Sequence, residues 1–210
     1  MKSFREWLDS TQVSLTMVVI ADQLDDGYFA TWLKDLLENH DQVTIACHGL
    51  THKCWSAYPK DEEGFLAALV EADVKLHKFA KDAWRPWFRA PAGYIAPWMA
   101  PIIAKAGFEL DSSVNPSWIV RKKAGPWKDW NAVLKALKDS GLVSRPWLCK
   151  FGLPTCGPAL SIPILRNNAR RVWKKLGPFV LPDETEETVY WHVLDHGRKN
   201  GTWKPTILSL

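Results

Sequence analysis

Val43-Thr44-Ile45-Ala46-Cys47-His48-Gly49-Leu50-Thr51-His52 is an apolar run that ends in two histidines four residues apart. The β-branched residues at its start predict a strand over Val43–Cys47. A neutral imidazole offers one lone pair, and three intervening residues leave room for both rings to turn toward one ion. Two polar residues in a surface loop are an alternative reading of the same letters. Cys47 and Cys54 flank the pair, so a structural zinc site of mixed Cys and His ligands is another.

Working outward, Val13–Ala21 is a second apolar run rich in β-branched residues and predicts a buried parallel strand. It stops at Asp22. Asp25-Asp26-Gly27 follows, then an amphipathic helix over Tyr28–Asn39 with Phe29, Trp32, Leu33, Leu36 and Leu37 on its apolar stripe. Strand, helix, strand is the crossover that parallel pairing requires. Asp22 and His48 are therefore expected at the same carboxyl-terminal sheet edge, where sites of parallel α/β folds collect. Before this unit, residues 1–12 predict a helix with Phe4, Trp7 and Leu8 on one face.

After it, Asp61 caps a helix predicted to run to Lys81. A short strand at Trp87-Phe88 leads into Arg89-Ala90-Pro91-Ala92-Gly93-Tyr94. A helix over Pro97–Lys105 is closed by Gly107, and a strand over Phe108–Leu110 ends at Asp111-Ser112-Ser113. Asn115–Lys128 reads as loop and Asp129–Ser140 as helix. Residues 142–164 are irregular, with short strands expected near Leu148 and Leu160. A basic helix spans Leu165–Leu176, Gly177–Glu187 is loop, and Thr188–His192 predicts a last buried strand. There is no internal repeat.

The 210 residues fit a single domain over 1–210, with 47% apolar and 24% charged residues in the range of globular proteins. The net charge of +4 is spread without dense runs, which speaks against nucleic acid as a partner. No run is long enough to predict a transmembrane segment. The charged N-terminus shows no apolar signal region, so a cytoplasmic location with reduced thiols is expected. Thirteen Trp is a high count. Most must pack in cores, but Trp87, Trp98, Trp127 and Trp147 lie beside Pro or charged residues, as on the rim of a sugar-binding cleft.

Four predicted strand ends carry polar groups: His48 with His52, then Arg89, Asp111 and His192. Here the chain resembles the polysaccharide deacetylases of the NodB-homology type, carbohydrate esterase family 4. His48-Gly-Leu-Thr-His52 is similar to that family's two-histidine metal motif and Arg89-Ala-Pro-Ala-Gly93 to its Arg-x-Pro-x-Gly motif. Gly107-Phe-Glu-Leu-Asp111-Ser-Ser113 is similar to its GF-x-x-DSS segment, and Tyr190-Trp191-His192 to the strand bearing its last histidine. The resemblance implies an α/β fold, a distorted (β/α) barrel of fewer than eight strands. It implies metal-dependent hydrolysis of N-acetyl groups on a polysaccharide or cell-envelope saccharide. The divalent ion, zinc first, would be held by His48, His52 and one carboxylate. His192 would protonate the leaving amine, Arg89 would orient a carboxylate base, and the Ala92 N–H would face the oxyanion. Gly93, Tyr94, Asp111 and Trp191 would meet the N-acetylated saccharide.

The family's first strand, with its Asp-Asp pair, has no counterpart ahead of Val13–Ala21. Asp25-Asp26 is similar in letters but follows the wrong strand. Asp22 is the expected substitute, as both ligand and base. A catalytically inactive homologue that binds carbohydrate or a protein partner is the alternative. An absent first strand also predicts an open edge along Val13–Ala21, with self-association through it.

Overall fold

In the computed structural model, residues 1–11, 13–115, 117, 129–176 and 188–197 are described. They cluster into two compact units. One comprises residues 14–114 and 122–145, and the other 1–13, 115–121 and 146–210.

The first unit is built on five parallel strands: β1 (Leu15–Val19), β2 (Val43–Cys47), β3 (Trp84–Phe88), β4 (Leu110–Asp111) and β5 (Val143–Ser144). They lie side by side in chain order. The connecting helices are α2 (Gly27–Asn39), α3 (Glu62–Ala80), α4 (Met99–Lys105) and α5 (Trp130–Asp139); α1 (Lys2–Asp9) lies in the other unit. Three helices start on a capping aspartate. Asp26 accepts from the N–H groups of Tyr28 and Phe29, Asp61 from Gly64, and Asp129 from Asn131 and Ala132. Each satisfies donors that the first turn leaves without a partner in the helix. Asp26 thus has a local structural role that accounts for half of the Asp25-Asp26 pair. The α4 helix ends at Gly107, whose φ of +91° is open only to a residue without Cβ strain.

Apolar residues at helical spacing bury themselves against the sheet: Leu33 and Leu36 of α2, Leu69 and Leu76 of α3, and Val133 and Leu137 of α5. Phe65 and Phe108 meet Phe88 with ring centroids 6.2 and 5.7 Å away, joining α3 and the α4–β4 turn to the central strand. β1 differs from expectation. Four of its five residues are only half-buried, because β2 is its one strand partner among the described residues. β5 was not foreseen. It has two residues and an exposed valine, too little apolar pattern to register.

The register matters more than the strand lengths. Val19 pairs with Cys47, Cys47 with Phe88, Phe88 with Asp111, and Asp111 with Ser144. One row of residues thus crosses the sheet at its carboxyl edge. The ladder continues one residue further: the N–H groups of His48, Arg89, Ser112 and Arg145 donate to the carbonyls of Val19, Cys47, Phe88 and Asp111 at 2.8–2.9 Å.

In the second unit, α1 (Lys2–Asp9) packs Phe4 and Trp7 on the 3₁₀ turn Val193–Gly197. Both rings lie about 5 Å from His196. β6 (Cys149–Lys150) and β7 (Leu153–Pro154) form a small antiparallel hairpin, and α6 (Pro163–Leu176) buries Ala169 and Trp173 against Leu160. Leu160 sits in a 3₁₀ turn, Pro158–Ser161, and not in the strand expected there. Thr188–His192 is likewise not a buried strand. Thr188 makes one bridge to Trp147, and the chain then turns, because Asp195 accepts the His192 N–H and returns its own N–H to the His192 carbonyl. The loops expected at Asn115–Lys128 and Gly177–Glu187, and Trp127, lie largely or wholly outside the described residues. Among the described residues no helix is long and apolar enough to cross a membrane.

Candidate functional site

β2 delivers His48 to the sheet edge, and the following loop is fastened to the chain leaving β1. Ala21 N–H donates to the Gly49 carbonyl and Asp22 N–H to that of Leu50, both at 3.0 Å. Gly49 makes this possible. Its φ is +89°, and a Cβ there would lie 3.0 Å from the Thr51 carbonyl oxygen and 3.5 Å from the Pro91 ring.

His48 Nδ1 lies 2.7 Å from the carbonyl oxygen of Arg89. A carbonyl can only accept, so Nδ1 carries the proton and Nε2 bears the lone pair. A backbone acceptor on one ring nitrogen is the arrangement that prepares the other for a metal. The His52 ring is 5.5 Å from that of His48, edge to face, and is exposed. These two imidazoles are the histidine pair anticipated from the sequence.

Asp22 behaves differently. Its main chain lies against the histidine loop, but its carboxylate is turned to α3, where Lys75 Nζ lies 2.8 Å from Oδ1 and 3.1 Å from Asp25 Oδ2. Among the described residues no group of three or more His, Cys, Asp or Glu is placed to hold an ion. Among the described residues, then, no carboxylate or thiol is placed with the two imidazoles as a third donor. Cys47, which flanks the pair, is fully buried; its sulfur accepts the Gly49 N–H at 3.2 Å, and burial pushes the thiol up to about 12.

Beside the histidines, β3 delivers Arg89, which is itself buried. Pro91–Gly93 forms one tight turn closed by Gly93 N–H on the Ala90 carbonyl. Ala92, at φ +60°, takes a left-handed conformation that costs a Cβ-bearing residue about 1 kcal/mol, and it is exposed. Gly93, also left-handed at φ +73°, is buried. Tyr94 is largely buried; burial and the Cys54 thiol raise its hydroxyl to about 12.

Asp111, expected to meet substrate, is instead enclosed in the protein at 0% exposure. Its Oδ1 accepts the Ser113 N–H at 2.9 Å and its Oδ2 the Ser113 hydroxyl at 2.6 Å, while Ser113 Oγ accepts the Ala90 N–H at 2.7 Å. The carboxyl thus braces the Arg89–Gly93 turn from below. Burial raises it to about 6, against the opposing pull of the Ser113 bonds and the Arg89 charge. Ser113 is the unforeseen member of this network; the DSS letters contain it, but nothing local shows which serine turns inward. Arg145 was missed with β5, although its backbone joins the same edge.

In the other unit, His192 is exposed and its Nδ1 lies 3.6 Å from the carboxylate of buried Asp195. Trp191 donates its indole N–H to His196 Nε2 at 2.8 Å. A broad cleft lined by Leu37, His40, Val43, Lys78 and Arg85 opens at the opposite, amino-terminal end of β2, and neither histidine of the pair lines it.

No protein-family profile matches the chain, and no curated protein matches it by sequence. Among solved structures, it is similar to the crystal structure of a Mycobacterium smegmatis protein provisionally designated a polysaccharide deacetylase. The two are 18% identical, with a TM-score of 0.52 over 83% of this chain and 56% of that one. The chain thus spans little more than half the length of its structural neighbour, and what it shares with that neighbour is the α/β fold with a parallel sheet.

Proposed function

We propose that this chain is a hydrolase of the polysaccharide-deacetylase type, acting on N-acetyl groups of a saccharide and dependent on a divalent ion, zinc first. The observation that carries the reading is the 2.7 Å bond between His48 Nδ1 and the Arg89 carbonyl. It joins the histidine loop to the Arg89–Gly93 turn and leaves Nε2 as the donor atom. The unbroken strand order supports a barrel-like winding, since doubly wound sheets reverse direction at a switch point.

His48 and His52 are the proposed ligands. The Asp22 carboxylate is engaged by Lys75. The proposed roles of the other groups are those of amide hydrolysis. Arg89 orients a carboxylate, the Ala92 N–H meets the developing oxyanion, and Gly93 lets the turn approach substrate. Acetate release from a panel of chito-oligosaccharides, with zinc or cobalt added, tests the reading. Release above that of His52→Ala is expected; none above that control refutes hydrolysis.

A second reading is favoured by the Lys75–Asp22 pair. With no three-donor group among the described residues, the same edge serves a homologue that binds an N-acetylated saccharide without cleaving it. Saccharide binding without acetate release is its expected outcome. Self-association along half-buried β1 is proposed with either reading, and sedimentation velocity over a concentration series tests it.

A further inference from the structure

We infer that the second unit carries a docking surface for an anionic lipid bilayer, in which Phe151 and Ile164 enter the acyl boundary while basic side chains of α6 meet the headgroups. The inference stands apart from the proposed hydrolysis and needs no metal.

Three observations carry it. The first is charge. Between Asp139 and Asp183 the sequence has no acidic residue and seven basic ones, five of them on α6. That stretch carries +7 against +4 for the whole chain, so the remaining sequence is net acidic. Leu165, Ala169, Val172 and Trp173 of α6 are buried within the unit, while Arg171 and Lys174 are exposed. The second is apolar surface on the same unit. Phe151 at 90% and Ile164 at 78% are the two most exposed large hydrophobic side chains among the described residues, and Ile162 is exposed as well. Arg166 fixes the link that bears the isoleucines, donating from Nε to the Leu160 carbonyl at 2.9 Å and from Nη2 to that of Ser161 at 3.2 Å. β7 packs beside α6, and Phe151 lies at the tip of the hairpin that β7 closes.

The third is the hairpin tip itself. Phe151-Gly152 is a two-residue loop with φ values of +54° and +70°, the left-handed pair that favours Asn-Gly. Phenylalanine is strained there, and its exposure shows that it gains no packing in return. A ring held outward against local preference marks a contact with something outside the chain. A soluble polyanion would satisfy the basic side chains but gives the isoleucines nothing to enter. A bilayer surface meets both demands.

Co-sedimentation of the whole chain with vesicles of phosphatidylcholine, alone or in equimolar mixture with phosphatidylglycerol, tests the inference. Binding to the mixed vesicles that weakens with salt, and little binding to phosphatidylcholine alone, is expected. Arg170→Gln, Arg171→Gln and Lys174→Gln combined should weaken it by about a hundredfold, or about fivefold per charge. Lys78→Gln, Lys105→Gln and Lys138→Gln combined remove the same charge from exposed lysines of the other unit and should spare it. Phe151→Asn should weaken binding by about tenfold with an unchanged or higher melting temperature, because Asn suits the turn. Ile164→Ser should weaken it to a similar degree. Equal binding to both vesicle types, equal losses in the two charge variants, or no binding to either vesicle overturns the inference. So does binding that Phe151→Asn and Ile164→Ser leave intact. Dextran sulfate that displaces the mixed vesicles and binds Phe151→Asn as well as wild type assigns the surface to a soluble polyanion and likewise overturns it.

Discussion

Asp111→Asn should abolish a pH dependence of stability that the buried carboxyl builds into the fold. The group is fully enclosed and its ionisation is raised from 3.8 to about 6, chiefly by burial. In the folded protein it therefore binds its proton more tightly than in the unfolded chain. Between pH 4 and 6 the folded state holds more protons, so this group's contribution falls as pH rises. The contribution is fully present below pH 3.8 and lost above about 6. The gap is roughly two pH units, and at 1.36 kcal/mol per unit it amounts to about 3 kcal/mol. That is a sizeable share of the 5–15 kcal/mol typical of a whole domain. Urea denaturation of wild type and Asp111→Asn at pH 4, 5, 6 and 7 isolates the term, because other carboxyls cancel in the difference. The difference between the two proteins should shift by about 3 kcal/mol in favour of the variant as pH rises from 4 to 7. Parallel curves would refute the reasoning and mean that Arg89 and the Ser113 bonds already compensate the buried charge.

Other outcomes follow from single contacts. Gly49→Ala forces a Cβ to 3.0 Å from the Thr51 carbonyl at φ +89°, and should cost about 1–2 kcal/mol in urea denaturation. Asp26→Ala removes the cap of α2 and should cost about 1 kcal/mol, with Asp25→Ala as a comparison that spares the cap. Trp173→Ala empties the centre of the Leu160–Ala169 cluster and should cost about 3–5 kcal/mol, read as a loss of thermal stability. His48→Ala should abolish zinc binding in calorimetric titration, whereas Cys54→Ala should leave it unchanged.

Much of the fold was legible in the chain because its signals were local. β2 was expected over the residues it occupies, and α2 and α3 to within a residue at their starts, since an apolar period and a capping aspartate are read from neighbours in sequence. β5 was not legible because two residues carry no period. Thr188–His192 was misread for a different reason. Its β-branched and aromatic letters, Thr188-Val189-Tyr190-Trp191, suit a strand, but Asp195, three residues beyond His192, takes the backbone into a turn. At the candidate site, the residue types at the sheet edge were readable, and their orientations were not. Asp22 faces Lys75, fifty-three residues away in sequence, and no local pattern reports it. Asp111 was expected to meet substrate because it ends a predicted strand in letters similar to the GF-x-x-DSS segment; the two bonds from Ser113 make its burial tolerable.

The ordering of the sheet also has a consequence for synthesis. Because β1 to β5 sit side by side in the order in which they are made, each new strand leaving the ribosome meets the one made just before it. Such a sheet can grow by accretion, with no early strand waiting for a distant partner. The histidine loop can lie down on the end of β1 as soon as β2 has emerged, but His48 gains its fixed tautomer only when Arg89 arrives some forty residues later. Structure at this edge therefore precedes chemical readiness, and the nascent loop passes through a stage in which its imidazoles are placed but not yet oriented.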